Sequence, residues 1–454
     1  MKLHLKQLSA PLRARKVTAD VSFTRISTDT RTLQVGDLFV ALVGPNFDGH
    51  EFIAQAQQKG AVGALVSTEI DTDLAQILVA DTRIALADLA RFRRQQMSGL
   101  WLAVTGSSGK TTVKEMLGQI LAHAGTVELT QGNLNNDIGV PITIMNMQAQ
   151  GIDYRVLELG ANHVGEIAYT CRIGQPQIAV LNNAQDAHLA GFGGLKGVVE
   201  AKGEIIASLG AGGQAVLNLD DASYHYWRQL ADGCQVWSFS VDNGAARVHA
   251  KHLIVAAEGS DFALCIDGQE CPVHLQLSGR HNVANALAAA AAASAAGLTL
   301  AQIRAGLEVC EAYRGRLVRH ELANNVLVID DTYNANPSSV RAAIDVLIKQ
   351  GGTSCLILGD LRELGEASYS LHMDLGRYAA KAGITYFIGV GSRVAAAVNQ
   401  FAADGGQYPI AVASQADVVP YLQTLPKHNL SCLVKGSRSS RMERVVKLLL
   451  QQDQ

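Results

Sequence analysis

Four small residues, Gly106, Ser107, Ser108 and Gly109, stand between the apolar run "LWLAVT" and Lys110-Thr111-Thr112. A glycine-rich turn between a strand and a helix aims backbone N–H groups and the positive helix end at an anion. Lys110 would reach the outer phosphates of a bound nucleotide, and the Thr111 hydroxyl would ligate Mg²⁺. The common phosphate loop has a longer insert between its glycines. Here only Ser107 and Ser108 intervene.

Other chemistry-bearing side chains follow apolar runs in the same way. Glu158 ends "YRVLE", so its carboxylate would emerge beside the turn, where a bridging magnesium ion would offset its repulsion from phosphates. His188 follows "QIAVLNNAQDA" and would face the same crevice. His281, Asn282 and Asn285 open the helical stretch "GRHNVANALAA" and can offer an imidazole and amides to a base edge or a phosphate. Arg316, in "GRL", suits a forked phosphate contact. Lys202 lies between Glu200 and Glu204 in "VVEAKGEII", a spacing that by itself describes a solvated ion-pair helix. Ser27, Thr28, Asp29 and Arg31 make a polar turn that by itself reads as a cap.

These residues need elements to hold them. From 1 to 82 the chain reads as a small α/β module, with strands in "DLFVALVG" and "AVGALVS" and a helix from about His50. "DTRIALADLARFRRQQ" is a connecting helix. From 83 to 312 strands rich in Val, Ile and Leu alternate with helices, which predicts a parallel sheet covered on both faces. The alternating pattern of "VHAKHLIVAAEGSDFALCIDGQECPVHLQL" adds an antiparallel extension. From 313 to 454 the rhythm restarts with "NVLVIDD", "SCLILGD", "TYFIGVG" and "LSCLVKG". The expected architecture is α/β in three domains: a small N-terminal module, a central phosphate-loop sheet and a C-terminal Rossmann-like sheet. Functional residues should gather at the carboxyl ends of the strands.

Bulk properties exclude several function classes. A chain of 454 residues exceeds one hydrophobic core, and a net charge of −3 gives no nucleic-acid footprint. The N-terminus lacks the apolar stretch of a signal peptide, and "VANALAAAAAASAAGL" is too short to span a bilayer. It is expected to be a packed helix. The seven cysteines have no CxxC or metal-ligand spacing and read as reduced, mostly buried thiols of a cytoplasmic protein.

The shortened "TGSSGKTT" loop resembles that of the Mur ligases and folylpolyglutamate synthetases, which make amide bonds with ATP. Further blocks extend the resemblance over nearly the whole chain: "STDTR" (27–31), "GDLFVALVGPNFDGHEF" (36–52), "GNLNNDIGVP" (132–141), "LELGANHVGEI" (157–167), "NNAQDAHLAGFG" (182–193), "EAKGEI" (200–205), "GRHNVANALAA" (279–289), "GRL" (315–317), "DDTYNANPSS" (330–339) and "KGSR" (435–438). The resemblance favours the Mur branch, and "NLNNDIGVP" and "DDTYNANP" point within it to the enzyme that adds a dipeptide.

That resemblance implies a monomeric cytoplasmic ligase joining D-alanyl-D-alanine to UDP-N-acetylmuramoyl-tripeptide at the expense of ATP, through an acyl phosphate. It assigns Glu158 to one magnesium and His188 to a second, and it makes Lys202 a carbamate that also holds metal. Asp331 would accept ribose hydroxyls, with Tyr333 and Asn334 near the adenine. Ser27, Thr28, Asp29 and Arg31 would take the uridine diphosphate, and Asn133, Asn135, Asn136 and Asp137 the muramyl-peptide. Lys435 and Arg438 would hold either the dipeptide carboxylate or the ATP end. A folylpolyglutamate synthetase would lack the N-terminal uridine module, and a GTP switch would carry an Asn-Lys-x-Asp that this sequence lacks.

Overall fold

The computed structural model describes residues 2–451. Each of the strand-like runs named above is a strand, and they form three principal sheets. The first has five strands, in the order Lys16–Val17, Ala75–Leu78, Gly63–Val66, Leu38–Val40 and Ile26–Ser27, parallel except at its first pair. Ala75–Leu78 is too short to show a period and was not legible in the sequence.

The central sheet has nine strands. Leu100–Thr105 lies between Tyr154–Glu158 and Ile178–Leu181, all parallel. The chain leaves this strand first to one side and then to the other, so the crevice of the sheet opens at the carboxyl end of Leu100–Thr105. Val248–Val255, Ser260–Ile266 and Gln269–Leu275 form the expected antiparallel extension. The third sheet has six strands, with Val326–Asp331 beside Leu430–Lys435 in parallel register.

The alanine-rich segment is the helix Arg280–Ala295, with Ala286 to Ala293 fully buried. Methyl side chains allow its backbone to approach both the sheet and the helix Lys110–Leu121; larger side chains would overpack the layer by about 1–3 kcal/mol.

The connecting helix spans Thr82–Arg94. Asp81 caps it, accepting from the backbone N–H groups of Arg83 and Ile84, a cap worth about 1 kcal/mol. Its buried face, Ala85, Leu86, Leu89 and Ala90, joins one apolar core that runs from Leu3, Phe23 and Val40 of the first domain to Val140, Leu157 and Trp227 of the second. Polar ties reinforce both ends. Thr82 Oγ1 donates to the Ala41 carbonyl at 2.9 Å, and Arg93 donates to the Met147 carbonyl at 2.6 Å. The third domain has two cores of its own, one on each face of its sheet. All seven cysteines are free thiols, five of them buried. No helix among the described residues is long and apolar enough to cross a membrane.

Candidate active site

A cleft of about 850 Å³ lies between the central and third domains, within the range of roughly 300–1,000 Å³ usual for small-molecule sites. Its floor is the glycine-serine turn. Gly109 adopts φ +79°, and a Cβ there would stand 2.3 Å from Asn285 Oδ1, so no other residue fits. Ser107 donates its backbone N–H to the Asn183 carbonyl at 3.0 Å. The Ser108 N–H goes to Asn183 Oδ1 at 2.9 Å, and its carbonyl accepts from the side chains of Asn182 and Asn183. Asn182 also donates to Asn285 Oδ1, tying the turn to the alanine-rich helix. Sequence reasoning took only His188 from the "NNAQDAH" block and passed over Asn182, Asn183 and Gln185. Their signal was position: two side-chain amides at the carboxyl end of the strand next to the turn.

Lys110 folds back over the turn and donates to the Gly106 carbonyl at 2.7 Å. Burial lowers its pKa, opposed by the Glu158 charge and aided by Arg316. Thr111 is buried, and its hydroxyl accepts from Arg316 Nη2 at 2.9 Å, while Thr112 lines the cleft. Glu158 is 2 % exposed; Asn135 donates to its Oε1 at 2.7 Å, and its Oε2 has no protein partner. His188 starts a short helix at φ +55°, with Nδ1 against the Glu363 carboxylate of the third domain.

Lys202 is 2 % exposed and finds no hydrogen-bond partner among the described residues; its Nζ lies 5.3 Å from the centre of the Phe192 ring. Burial and then the Lys110 charge bring its pKa down to about 7, against the pull of Glu204 and Glu166. The solvated ion-pair helix suggested by spacing is thus replaced by a buried amine. Glu204 instead accepts from the N–H groups of Gly165 and Ala168 at the start of the helix Glu166–Gly174.

At the start of the alanine-rich helix, beside the turn, Asn282 and Asn285 are buried, and His281 is held neutral, with a pKa of about 4, by burial and by Lys435. The Arg316 guanidinium stacks 4.4 Å from the Tyr333 ring centre. Asp331 and Lys435 form a buried pair at 2.5 Å, and Lys435 also donates to the Asn334 carbonyl at 3.0 Å. Burial raises the Asp331 pKa, with Lys435 opposing. Arg438 remains at the rim, its side chain 65 % exposed. Asn133, Asn135 and Asn136 line the cleft.

Eight expected residues are not part of the cleft wall: the buried Thr111 and Lys202 described above, and six more. Asp137 accepts from Arg83 Nε of the connecting helix at 2.6 Å. Ser27, Thr28, Asp29 and Arg31 form a turn in the first domain, closed by Ser27 Oγ and by a forked Arg31–Asp29 pair that holds the Asp29 pKa at about 2. Gly106 opens the turn but does not line the cleft.

The family models account for most of the chain. Residues 22–94 match the model described as Mur ligase family, catalytic domain; residues 104–293 match the Mur ligase middle domain; residues 315–438 match the Mur ligase, glutamate ligase domain. The chain belongs to the Mur ligase family. Among curated Mur ligases it is 43 % identical to the UDP-N-acetylmuramoyl-tripeptide--D-alanyl-D-alanine ligase of Escherichia coli, over 98 % of each chain. It is 39 % identical to that of Haemophilus influenzae, again over 98 % of each. Among solved Mur ligases, a crystal structure of MurF from Acinetobacter baumannii superposes with a TM-score of 0.93 at 38 % identity, covering 99 % of both chains. MurF from Thermotoga maritima in complex with ADP gives 0.84 at 28 % identity, covering 94 % of this chain and 97 % of that one.

Proposed function

We propose that this Mur ligase joins D-alanyl-D-alanine to UDP-N-acetylmuramoyl-tripeptide with ATP, as a monomer in the cytoplasm, in the building of peptidoglycan. The observation that carries the proposal is the near-complete coverage of the two curated ligases by a chain whose cleft between the central and third domains contains the phosphate loop.

The terminal carboxylate of the tripeptide attacks the γ-phosphorus of ATP, giving an acyl phosphate and ADP. The dipeptide amine then attacks the acyl carbon, and phosphate leaves from the tetrahedral intermediate. Lys110 exchanges its carbonyl partners for the outer phosphates, and Arg316 adds a second cation as charge crowds between two anions. Asp331, with one oxygen committed to Lys435, keeps the other for the ribose. Tyr333 and Asn334 flank the base, and the paired amides of Asn282 and Asn285 hold the wall behind it. Asn133, Asn135 and Asn136 face the muramyl-peptide, whose uridine diphosphate extends toward the Ser27–Arg31 turn. Lys435 is held by Asp331 in the buried pair, so the exposed Arg438, which faces Glu443 at 3.6 Å, is the cation better placed to turn to the dipeptide carboxylate.

No three His, Cys, Asp or Glu side chains among the described residues form a metal cage. The unpartnered Glu158 Oε2 nevertheless suits a magnesium ion, and the Thr111 hydroxyl would join it once Arg316, which donates to that hydroxyl, turns to the phosphates. Bound there, magnesium supplies charge neutralisation. His188 Nε2 and a modified Lys202 are the candidates for a second ion. A Lys202 ammonium would repel it; a neutral amine with a pKa near 7 can add CO₂, forming an N–C bond and releasing a proton, to become a carbamate anion.

The test is ADP release on mixing the enzyme with ATP and UDP-muramyl-tripeptide, with and without D-alanyl-D-alanine, and mass analysis of the product. A pentapeptide product dependent on the dipeptide supports the proposal. A tetrapeptide from single D-alanine, or a glutamylated folate, ends it.

A further inference from the structure

Asn336 belongs to the third domain, where it caps the helix Pro337–Ile348. Its Oδ1 accepts from the Ser339 N–H at 2.8 Å, and its own N–H donates to Ser339 Oγ at 3.0 Å, a reciprocal capping box. With Oδ1 committed, the amide has one orientation, and Nδ2 must point away from the helix. It reaches across the cleft and donates to Ser108 Oγ at 2.9 Å.

Ser108 is prepared for this contact from the other side. Asn182 and Asn183 take up both its backbone N–H and its carbonyl, so its hydroxyl is the part left for other partners. A hydroxyl that accepts from an amide keeps its own hydrogen to donate. Ser108 and Asn336 both line the cleft, so that hydrogen is available to an anion inside it.

We infer that Asn336 is a positioning residue for phosphoryl transfer: from the third domain it holds the Ser108 hydroxyl of the phosphate loop as a donor aimed into the cleft, so the ATP site is complete only when that domain is docked. The inference rests on the reading of this cleft as the ATP site. Arg316 makes the parallel contact to Thr111, so the two hydroxyls that bracket Lys110 are both engaged from beyond the central sheet.

The test separates the contact from the cap. Serine caps a helix about as well as asparagine but is too short to reach Ser108. Asn336→Ser should therefore leave the melting temperature unchanged and lower kcat/KM for ATP roughly three- to tenfold, the worth of one ordinary hydrogen bond. Ser108→Ala should do the same, and the double variant should be no worse than either single one. KM for the tripeptide should not move. Asn336→Asp keeps the cap but offers Ser108 only an acceptor; it should be at least as impaired, and it replaces the serine variant should that one melt early. Effects of the two single variants that multiply in the double one, or an Asn336→Ser enzyme equal to the parent, overturn the inference. Lys110→Ala assayed alongside keeps the outcomes distinct: if it is inactive while the Asn336 variants are normal, the ATP site stands and only the role of Asn336 falls.

Discussion

The two domain junctions of this chain are built from opposite materials. Between the first and central domains the contact is apolar and continuous: the connecting helix buries Leu86 and Leu89 in a core shared by both sheets. Between the central and third domains polar side-chain contacts recur. Arg316 meets Thr111, Asn336 meets Ser108, Glu363 meets His188, and Arg319 and Gln350 donate to the Ala257 carbonyl. Exposing an apolar junction costs its full transfer free energy, whereas water can replace most polar partners at little net cost. The first two domains should therefore move as one body and the third should hinge. Chemistry that must admit three substrates and then exclude water belongs at the second junction.

Leu86→Ala probes the comparison most severely. It removes a fully buried side chain from the shared core and should cost about 2–5 kcal/mol. Hydrogen exchange should rise in both the first and central sheets while the third keeps its protection. Exchange confined to residues 1–82 would show two separate cores. At the polar junction, Lys110→Ala should lower ADP release by roughly two or more orders of magnitude with an unchanged melting curve. Near-normal turnover would move the ATP site elsewhere.

Lys202 gives a pH test. Its folded pKa of about 7 lies below the ordinary lysine value of about 10.4, so the unfolded chain binds more protons between those limits. In buffer free of magnesium and bicarbonate, this group's destabilisation is full below pH 7 and fades as pH rises toward 10. Lys202→Met should flatten that slope and raise stability at neutral pH while losing activity. Lys202→Ala should regain some turnover with short carboxylates and none with bicarbonate. Identical pH–stability curves for parent and Lys202→Met would place the amine in water.

The smallest effect is expected at Glu363, whose side chain is 60 % exposed. Glu363→Ala should loosen the third domain by no more than about 1 kcal/mol. Proteolysis at the cleft should quicken slightly, with turnover within a few-fold of the parent.

The strand ends and the phosphate loop were legible because each has a local signature: an apolar run followed by Gly, Ser or a charged residue. Pairings across long separations were not. Asp331 and Lys435 face each other only because two parallel strands lie in that register, and nothing in either segment names its neighbour. Lys202 misled for a related reason. Helical spacing offered Glu200 and Glu204 as partners, but Glu204 serves the neighbouring helix and the amine turns inward. The shared core was equally hidden, since periodicity marks a buried face without saying what covers it. Asn336 looked like part of a motif, and its capping role fixes an orientation that only coordinates reveal.

The shared core also bears on how the chain is made. Domains emerge from the ribosome N-terminal end first and generally fold as units. Here Leu3, Leu5 and Phe23 lie in a cluster that includes Val140, Leu157 and Trp227. The leading segment must wait, part of its apolar surface uncovered, until more than two hundred residues have been synthesised. A nascent chain stalled near residue 100 is therefore a client for chaperones, and a fragment cut at 82 should be sticky where the whole enzyme is not.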